Sequence, residues 1–227
     1  MPTTAVNWPV PRPAVELRGQ SVQLEPLTAA HERELLQICQ DEQIWRYLTS
    51  YGGTPEAMHG YLQAALCDYV SGSALPFVIR AARDGGNECA ARAGSDRGKG
   101  RDDRDGRVIG MTRLKNLSRA NRNAVVGSWL APCAWGSGAN TESKLLLLTH
   151  AFETLDCIRI EFHTDSRNLR SRAALTKMGA HEEGTLRSCH ITRDGSRRDT
   201  IVFSILDTEW LAVREKLLTR LQAQMSK

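Results

Sequence analysis

The sequence predicts an α/β (α+β) fold in a single domain, with a mixed central sheet of about six or seven strands flanked by helices. Three observations carry that prediction. Short apolar stretches with alternating or β-branched residues recur along the chain, and stretches of helical period stand between them. The composition, 41% hydrophobic and 25% charged over 227 residues, suits a globular chain with one well-packed core. One unit, Ala124 to Leu155, reads as an apolar strand, a glycine-bearing loop and an amphipathic helix in direct succession.

The elements follow in order. Residues 1–18 hold prolines at Pro2, Pro9, Pro11 and Pro13 and are expected to form an extended arm; residues 19–227 form the domain. Ser21–Leu27 alternates at Val22 and Leu24 and suits a first strand. Thr28 is placed to cap a helix with Leu35, Leu36, Ile38 and Cys39 inward, and Thr54-Pro55-Glu56 opens a second helix through about Tyr69. Leu75–Arg80 and Arg107–Leu114 read as strands. The stretch between them, about 84–106, is rich in Gly, Asp and Arg and almost without large apolar residues, so a flexible insertion in a hairpin is expected. Asn123–Leu130 is the next strand. Ile158–His163 alternates again; Asn168 caps a short helix with Ala173, Ala174, Leu175 and Met178 inward, and Gly179 ends it. Glu182–Thr192 and Thr200–Leu206 are the last strands, joined by a turn at Arg193-Asp194-Gly195. Glu209 to about Gln224 is a terminal helix.

The central unit carries the chemistry. Pro132 stops the strand, Gly136 and Gly138 permit a tight turn, and Asn140 is expected to cap a helix with Leu145, Leu148, Phe152 and Leu155 inward. A loop of this kind points free N–H groups at one spot where the helix dipole favours an anion, so it proposes a phosphate site. Two common phosphate motifs fail on spacing. Counted from Gly138, Ser143 and Leu145 stand where a P-loop needs Gly and Ser or Thr; counted from Gly136, Thr141 stands where a dinucleotide fingerprint needs Gly.

Trp135-Gly136-Ser137-Gly138-Ala139-Asn140 resembles the coenzyme A pyrophosphate loop of the GNAT superfamily of N-acetyltransferases, written Gln/Arg-x-x-Gly-x-Gly/Ala. The central glycine fits, while Trp135 replaces Gln or Arg and Asn140 replaces Gly or Ala. With the strand before it and the Thr141-Glu142 pair opening the helix, the stretch is most like the ribosomal-protein-alanine N-acetyltransferase branch, and the likeness runs from about Gln20 to Trp210. The resemblance implies a GNAT-like domain whose coenzyme loop joins strand 4 to helix 3. It implies transfer of acetyl from acetyl-CoA to a primary amine, of a protein N-terminus or a small molecule. The implied coenzyme contacts are Trp129, Leu130, Trp135, Gly136, Ser137, Gly138, Ala139, Asn140, Thr141, Asn168 and Ser171. Asn168 matches a residue that touches the pantetheine arm, and Ser171 one that the ribosomal-protein branch places near the sulfur. Leu175 stands where many members carry a Tyr as acid, and Val125 where some carry a Glu as base. His190 stands where the ribosomal-protein branch places a Glu, and histidine suits a base near neutral pH. Ser171 and His190 are therefore the expected catalytic pair, with Glu161, Glu182, Glu183 or a water chain as substitutes for the base. A backbone N–H near Trp129 or Leu130 is the expected oxyanion donor. Cys189 beside His190 does not suggest a nucleophile pair, because adjacent strand residues face opposite sides. In the family, the helical pair near Trp45 to Tyr69 covers the acceptor site, which makes Tyr47, Tyr51 and Tyr61 candidate contacts. The alternative is a catalytically degenerate acyl-CoA-binding or interaction protein, suggested by the missing Tyr and Glu.

Composition limits the other classes. A net charge of +4 gives no reason to expect nucleic acid or membrane as partner, and no apolar run reaches membrane-span length. The N-terminus lacks a secretory pattern, and the six cysteines are scattered without a C-x-x-C pair. Free thiols, no metal, a cytoplasmic location and a monomer or homodimer are expected.

Overall fold

The computed structural model describes residues 15–82 and 106–225. Its elements are β1 (Leu17–Arg18), β2 (Val22–Pro26), α1 (Glu32–Ile38), α2 (Glu42–Trp45), α3 (Pro55–Ser71), β3 (Leu75–Ala81), β4 (Val108–Ser118), β5 (Asn123–Leu130), α4 (Ala139–Thr149), β6 (Arg159–Asp165), α5 (Leu169–Met178), β7 (His181–Ile191), β8 (Arg197–Leu206) and α6 (Asp207–Met225). Most of the expected insertion lies outside the described residues, as do residues 1–14 of the expected arm. Its last residues, Leu17 and Arg18, pair with Leu24 and Gln23 and form β1.

One eight-stranded sheet runs β1-β2-β3-β4-β5-β6-β8-β7. Every neighbouring pair is antiparallel except β5 and β6. A parallel pair needs a crossover, and α4 is that crossover. The short β1 and the extra short helix α2, neither of them expected, shift the numbering; the glycine loop still joins the strand and helix the sequence assigned it to.

Side-chain alternation divides the core between the two faces of the sheet. Leu24, Phe77, Ile79, Val126, Ile160 and Phe203 pack with Leu147, Leu148 and Phe152 and with Trp210 and Leu217 of α6. On the other face Val78, Val108, Met111 and Trp129 pack with Leu35, Met58 and Leu62. Each such side chain contributes about 1.5–3 kcal/mol by leaving water. α3 begins as expected, with Thr54 Oγ1 accepting from Ala57 N at 3.2 Å. α5 has its Asn168 cap, whose Oδ1 accepts from Ser171 N at 3.1 Å, and its left-handed Gly179.

α4 departs from expectation at both ends. Its N-cap is Gly138, in the left-handed region with φ 87°, and Asn140 already lies inside the first turn. Its buried face is Lys144, Leu147, Leu148 and Ala151, with Leu145 only partly covered. The charge on Lys144 is what misplaces the face in a reading by hydrophobicity. The helix then widens over His150–Thr154, where Leu155 N donates to His150 O, five residues back. Cys39, Cys67, Cys157 and Cys189 are free thiols. Cys133 is disulfide-bonded, against the expectation of free thiols. Among the described residues no helix is long and apolar enough to cross a membrane.

α4 is fixed to the sheet edge by one carboxylate. Buried Glu142 accepts from the backbone N–H of Gln20 at 2.6 Å, Ser21 at 2.9 Å and Val22 at 3.0 Å, and from the Ser21 hydroxyl. Three backbone donors of the β1–β2 turn depend on it. Glu142→Ala leaves them unpaired and should destabilise the protein by about 3 kcal/mol in urea unfolding followed by tryptophan fluorescence. A loss of only a few tenths would show that water replaces the carboxylate without cost.

Candidate active site

The two parallel strands part company. β5 pairs with β6 only from Asn123–Val126 to Arg159–Phe162. Beyond that point Gly127–Leu130 continues on β4 alone, and His163–Asp165 continues on β8 alone. The sheet therefore opens into a V, and the edge of β5 facing β6 has no strand partner there. Each arm of the V is held from outside. On the β5 side, Gly110 lets β4 pass close to the strand end, since a Cβ there would lie 2.3 Å from Trp129 O. On the β6 side, buried Asp165 accepts from Arg167 Nη2 at 2.8 Å and faces Arg198 Nε at 4.0 Å. Arg198 in turn donates to Thr200 Oγ1 at 3.1 Å and to Tyr47 O at 3.0 Å.

The glycine loop closes the β5 arm. Pro132–Ala134 makes a tight turn, Trp135 Nε1 donates to Leu130 O at 2.9 Å, and Ser137 Oγ donates to Ala134 O at 2.8 Å. Gly136 and Gly138 take φ 81° and 87°, values at which a side chain is strained. Ala139 N reaches Ser137 Oγ at 3.4 Å, and Glu142 N donates to Gly138 O at 3.0 Å. Asn140 N and Thr141 N lie between them in the first turn, where a helix offers no acceptor, and no described residue takes them. The turn thus presents free donors at the positive end of α4.

Opposite stands the start of α5. A cavity of about 290 Å³ is lined by Gln43, Arg46, Tyr47, Trp135, Arg167, Asn168, Leu169 and Arg170. The Arg170 guanidinium lies 3.4 Å from the Trp135 ring centroid, a cation–π contact that spans the two lips of the V. Neither Arg170 nor Arg46 has a carboxylate within 4.0 Å among the described residues. Sequence reasoning finds no cation in the loop because position 135 is Trp; the cation arrives from another element by stacking on that Trp. Ser171 is half-buried, with its backbone N–H tied to Asn168, and Leu175 is buried in the core.

The face of the sheet opposite α4 is cationic at this point. Arg113 and Lys115 stand over Gly127 at the parting point, and Arg198 reaches in from β8. Burial, then Arg198, Lys115 and His163, hold the His190 imidazole below its usual pKa, so it is neutral at pH 7. The carboxylate substitutes are engaged. Glu183 is pulled down to about 2 by hydrogen bonds from Arg159 and Ser204. Burial raises Glu161, but Arg159 and His163 outweigh it and lower it overall. Glu182 faces Arg172 at 3.7 Å. Tyr51 donates to Glu42 Oε1 at 2.6 Å, and Tyr61 packs edge-on to Trp45, so of the three tyrosines Tyr47 alone lines the cavity.

Cys189 and His190 depart from simple alternation. Ser188 takes φ 48° and the β7–β8 ladder slips between Leu186 and His190, which brings Cys189 Sγ to 3.1 Å from His190 Nδ1. The two residues share a side because of that bulge, contrary to the expectation from a regular strand. No group of three or more His, Cys, Asp or Glu among the described residues is arranged to hold a metal ion.

The acetyltransferase (GNAT) domain profile matches residues 21–181. YdaF of Bacillus subtilis (strain 168), assigned provisionally as a ribosomal N-acetyltransferase, is 36% identical over 106 residues, which are 47% of this chain and 57% of that protein. The match thus spans little more than half of that relative. A structure from T. thermophilus, assigned provisionally as an acetyltransferase, superposes with TM-score 0.73 at 32% identity, covering 91% of this chain and 96% of its own. Mycobacterium smegmatis RimJ, solved in complex with CoA-disulfide, has the same fold, with TM-score 0.68 at 22% identity and 91% and 93% coverage.

The cationic crowd at His190 is open to measurement. Lys115→Met should move the His190 imidazole midpoint upward toward its usual value of about 6.5 in an NMR titration, because a positive neighbour that disfavours the imidazolium is gone. An unchanged midpoint would show that Lys115 does not act on His190.

Proposed function

Because the chain belongs to the GNAT acetyltransferase family, we propose that it moves an acetyl group from acetyl-CoA directly to the primary amine of an acceptor. The parting of β5 from β6 beside a left-handed glycine loop with free donors is the observation that carries this reading. The gap takes an extended chain between the strands, and the loop takes a phosphate at one end of it.

Each residue then has a task. The N–H groups from Gly136 to Thr141 hold the pyrophosphate, and Arg170 on Trp135 supplies the cation that the loop lacks. The Asn168 side chain, whose Oδ1 is spent on its own helix, turns its NH₂ to the pantetheine arm. Acetyl-CoA supplies the activated acetyl thioester. The acceptor nitrogen attacks its carbonyl carbon, the C–N bond forms and the C–S bond breaks. A backbone N–H near Trp129 or Leu130 stabilises the transient oxyanion. Neutral His190 accepts the proton lost by the amine, and Ser171 donates to the departing sulfur. The sequence likeness to YdaF and to the ribosomal-protein branch supports a protein N-terminal amine as acceptor. A second reading rests on the contact of Cys189 with His190, which suits an acetyl-cysteine intermediate. Unchanged turnover in Cys189→Ser excludes it.

Purified protein should release thiol from acetyl-CoA with some member of a panel of N-terminal peptides, polyamines and aminoglycosides. Tight CoA binding with no transfer to any of them would favour the catalytically degenerate alternative. Gly138→Val, which places a β-branched side chain at φ 87°, should abolish CoA binding in calorimetry while unfolding cooperatively. Arg170→Ala should weaken CoA about tenfold and leave an acetyl-pantetheine donor, which has no phosphates, unaffected. Equal weakening of both donors would assign Arg170 a packing role only.

A further inference from the structure

Lys144 is a buried cation that the reaction just described does not use. It sits on the inward face of α4 and is 7% exposed. No described carboxylate lies within 4.0 Å of its Nζ. Glu142 is turned to the β1–β2 turn, and Glu25 of β2 lies on the opposite face with Arg80. Arg113 and Lys115 of β4 also project to the opposite face, over Gly127. On α6, Arg214 faces Glu153 and Lys216 lies against Gly179. Burial alone holds the amine down, at about 8. An unpaired cation in such a place is costly unless something negative forms beside it.

What stands beside it is a hydroxyl on the wall of the V. Lys144 Nζ donates to Ser128 Oγ at 2.5 Å. Ser128 Oγ and Thr112 Oγ1 are 2.6 Å apart. Thr112 Oγ1 also lies 3.4 Å from Gly127 O, so either hydroxyl can donate to the other. When Thr112 is the donor, both lone pairs of Ser128 Oγ are filled, one by a cation, and its own hydrogen is free to turn elsewhere. Ser128 lies on β5 just past the parting point, on the stretch that has no inner strand partner, and is half-buried.

We propose that Ser128, polarised and positioned by Lys144, delivers the proton to the departing thiolate of the coenzyme, while Ser171 keeps only a hydrogen bond to that sulfur. This rests on the acetyl-transfer reading of the site. As the C–S bond breaks, its electron pair goes to sulfur, which takes the Ser128 proton. Ser128 Oγ draws a proton from Lys144 Nζ, and Lys144 recovers one from solvent. The proton lost by the acceptor amine leaves through His190, so one proton enters and one departs per turnover. Ser171 belongs to α5, on the other arm of the V.

The test is the pH profile of kcat at saturating acceptor, with CoA affinity measured in parallel. In the wild type kcat falls as pH rises past about 8, where Lys144 loses its proton. Lys144→Met should lower kcat about 100-fold, keep the CoA Kd within about twofold and abolish the falling limb. Ser128→Ala should show a similar loss, and the double variant should lose no more than either single one. A Lys144→Met enzyme within threefold of wild-type kcat, or one that is slow but keeps the falling limb, overturns the inference. Should Lys144→Met fail to fold, an undiminished kcat in Ser128→Ala overturns it instead. Wild-type protein that binds no CoA overturns the acetyl-transfer reading beneath it, which separates the two failures.

Discussion

The parallel contact between β5 and β6 lasts four residues on each strand, from Asn123 and Arg159 to Val126 and Phe162. Its brevity is the constraint on which the rest of the site depends. A sheet that continued as a sheet would close the gap with hydrogen bonds. Here each strand keeps its outer partner, β4 or β8, and abandons its inner one. The separation is maintained by contacts outside the gap. Trp135 caps the end of β5 through Leu130 O, and the Asp165–Arg198–Tyr47 chain ties the end of β6 to the segment after α2. Glu142 fixes the crossover helix to the far edge of the sheet, so the helix terminus cannot drift from the gap it serves.

Charge is distributed to match the two ends of this gap. At the mouth, among the described residues, Arg170 and Arg46 have no carboxylate within 4.0 Å, and they stand around a cavity beside N–H groups of the α4 terminus that no described residue takes. That arrangement suits phosphates. Further in, burial and then Arg198, Lys115 and His163 lower the proton affinity of His190, and an incoming ammonium would feel the same positive field. On the proposed reading, such a cationic pocket would favour the free amine that attack requires, without a carboxylate base. Glu161 on β6 and Glu183 on β7 are held by Arg159. Lys144 sits on the other face, behind β5, where negative charge would appear on the leaving side.

Local features of the fold were readable from the sequence because they are written in adjacent residues. Thr54-Pro55 starts a helix and Asn168 caps one. Gly179 ends a helix, and Val22, Leu24, Ile160 and Phe162 alternate. Errors arise where a distant contact overrides a local preference. Asn140 has the right chemistry for an N-cap, but the chain turns two residues earlier because Gly138 can adopt φ 87°. Leu145 belongs inward by hydropathy, yet the inward place is taken by Lys144, whose charge finds Ser128 sixteen residues back in the chain. The pairing of Arg170 with Trp135, and of Cys189 with His190 across a bulge, has no signature in spacing. The loop and Asn168 could be found from pattern; Ser128, Thr112, Lys144 and Arg170 needed the fold to bring them together.

The central claim is that the opening between β5 and β6 is where acetyl-CoA lies. Hydrogen exchange with and without acetyl-CoA addresses it directly, since bound coenzyme must cover or bond backbone amides along both arms. Slowed exchange should appear at Gly127–Leu130, at Gly136–Thr141 and at the start of α5 near Asn168, while β2 and β3 remain as they were. Protection confined to other elements, or none at all at saturating coenzyme, would contradict the account.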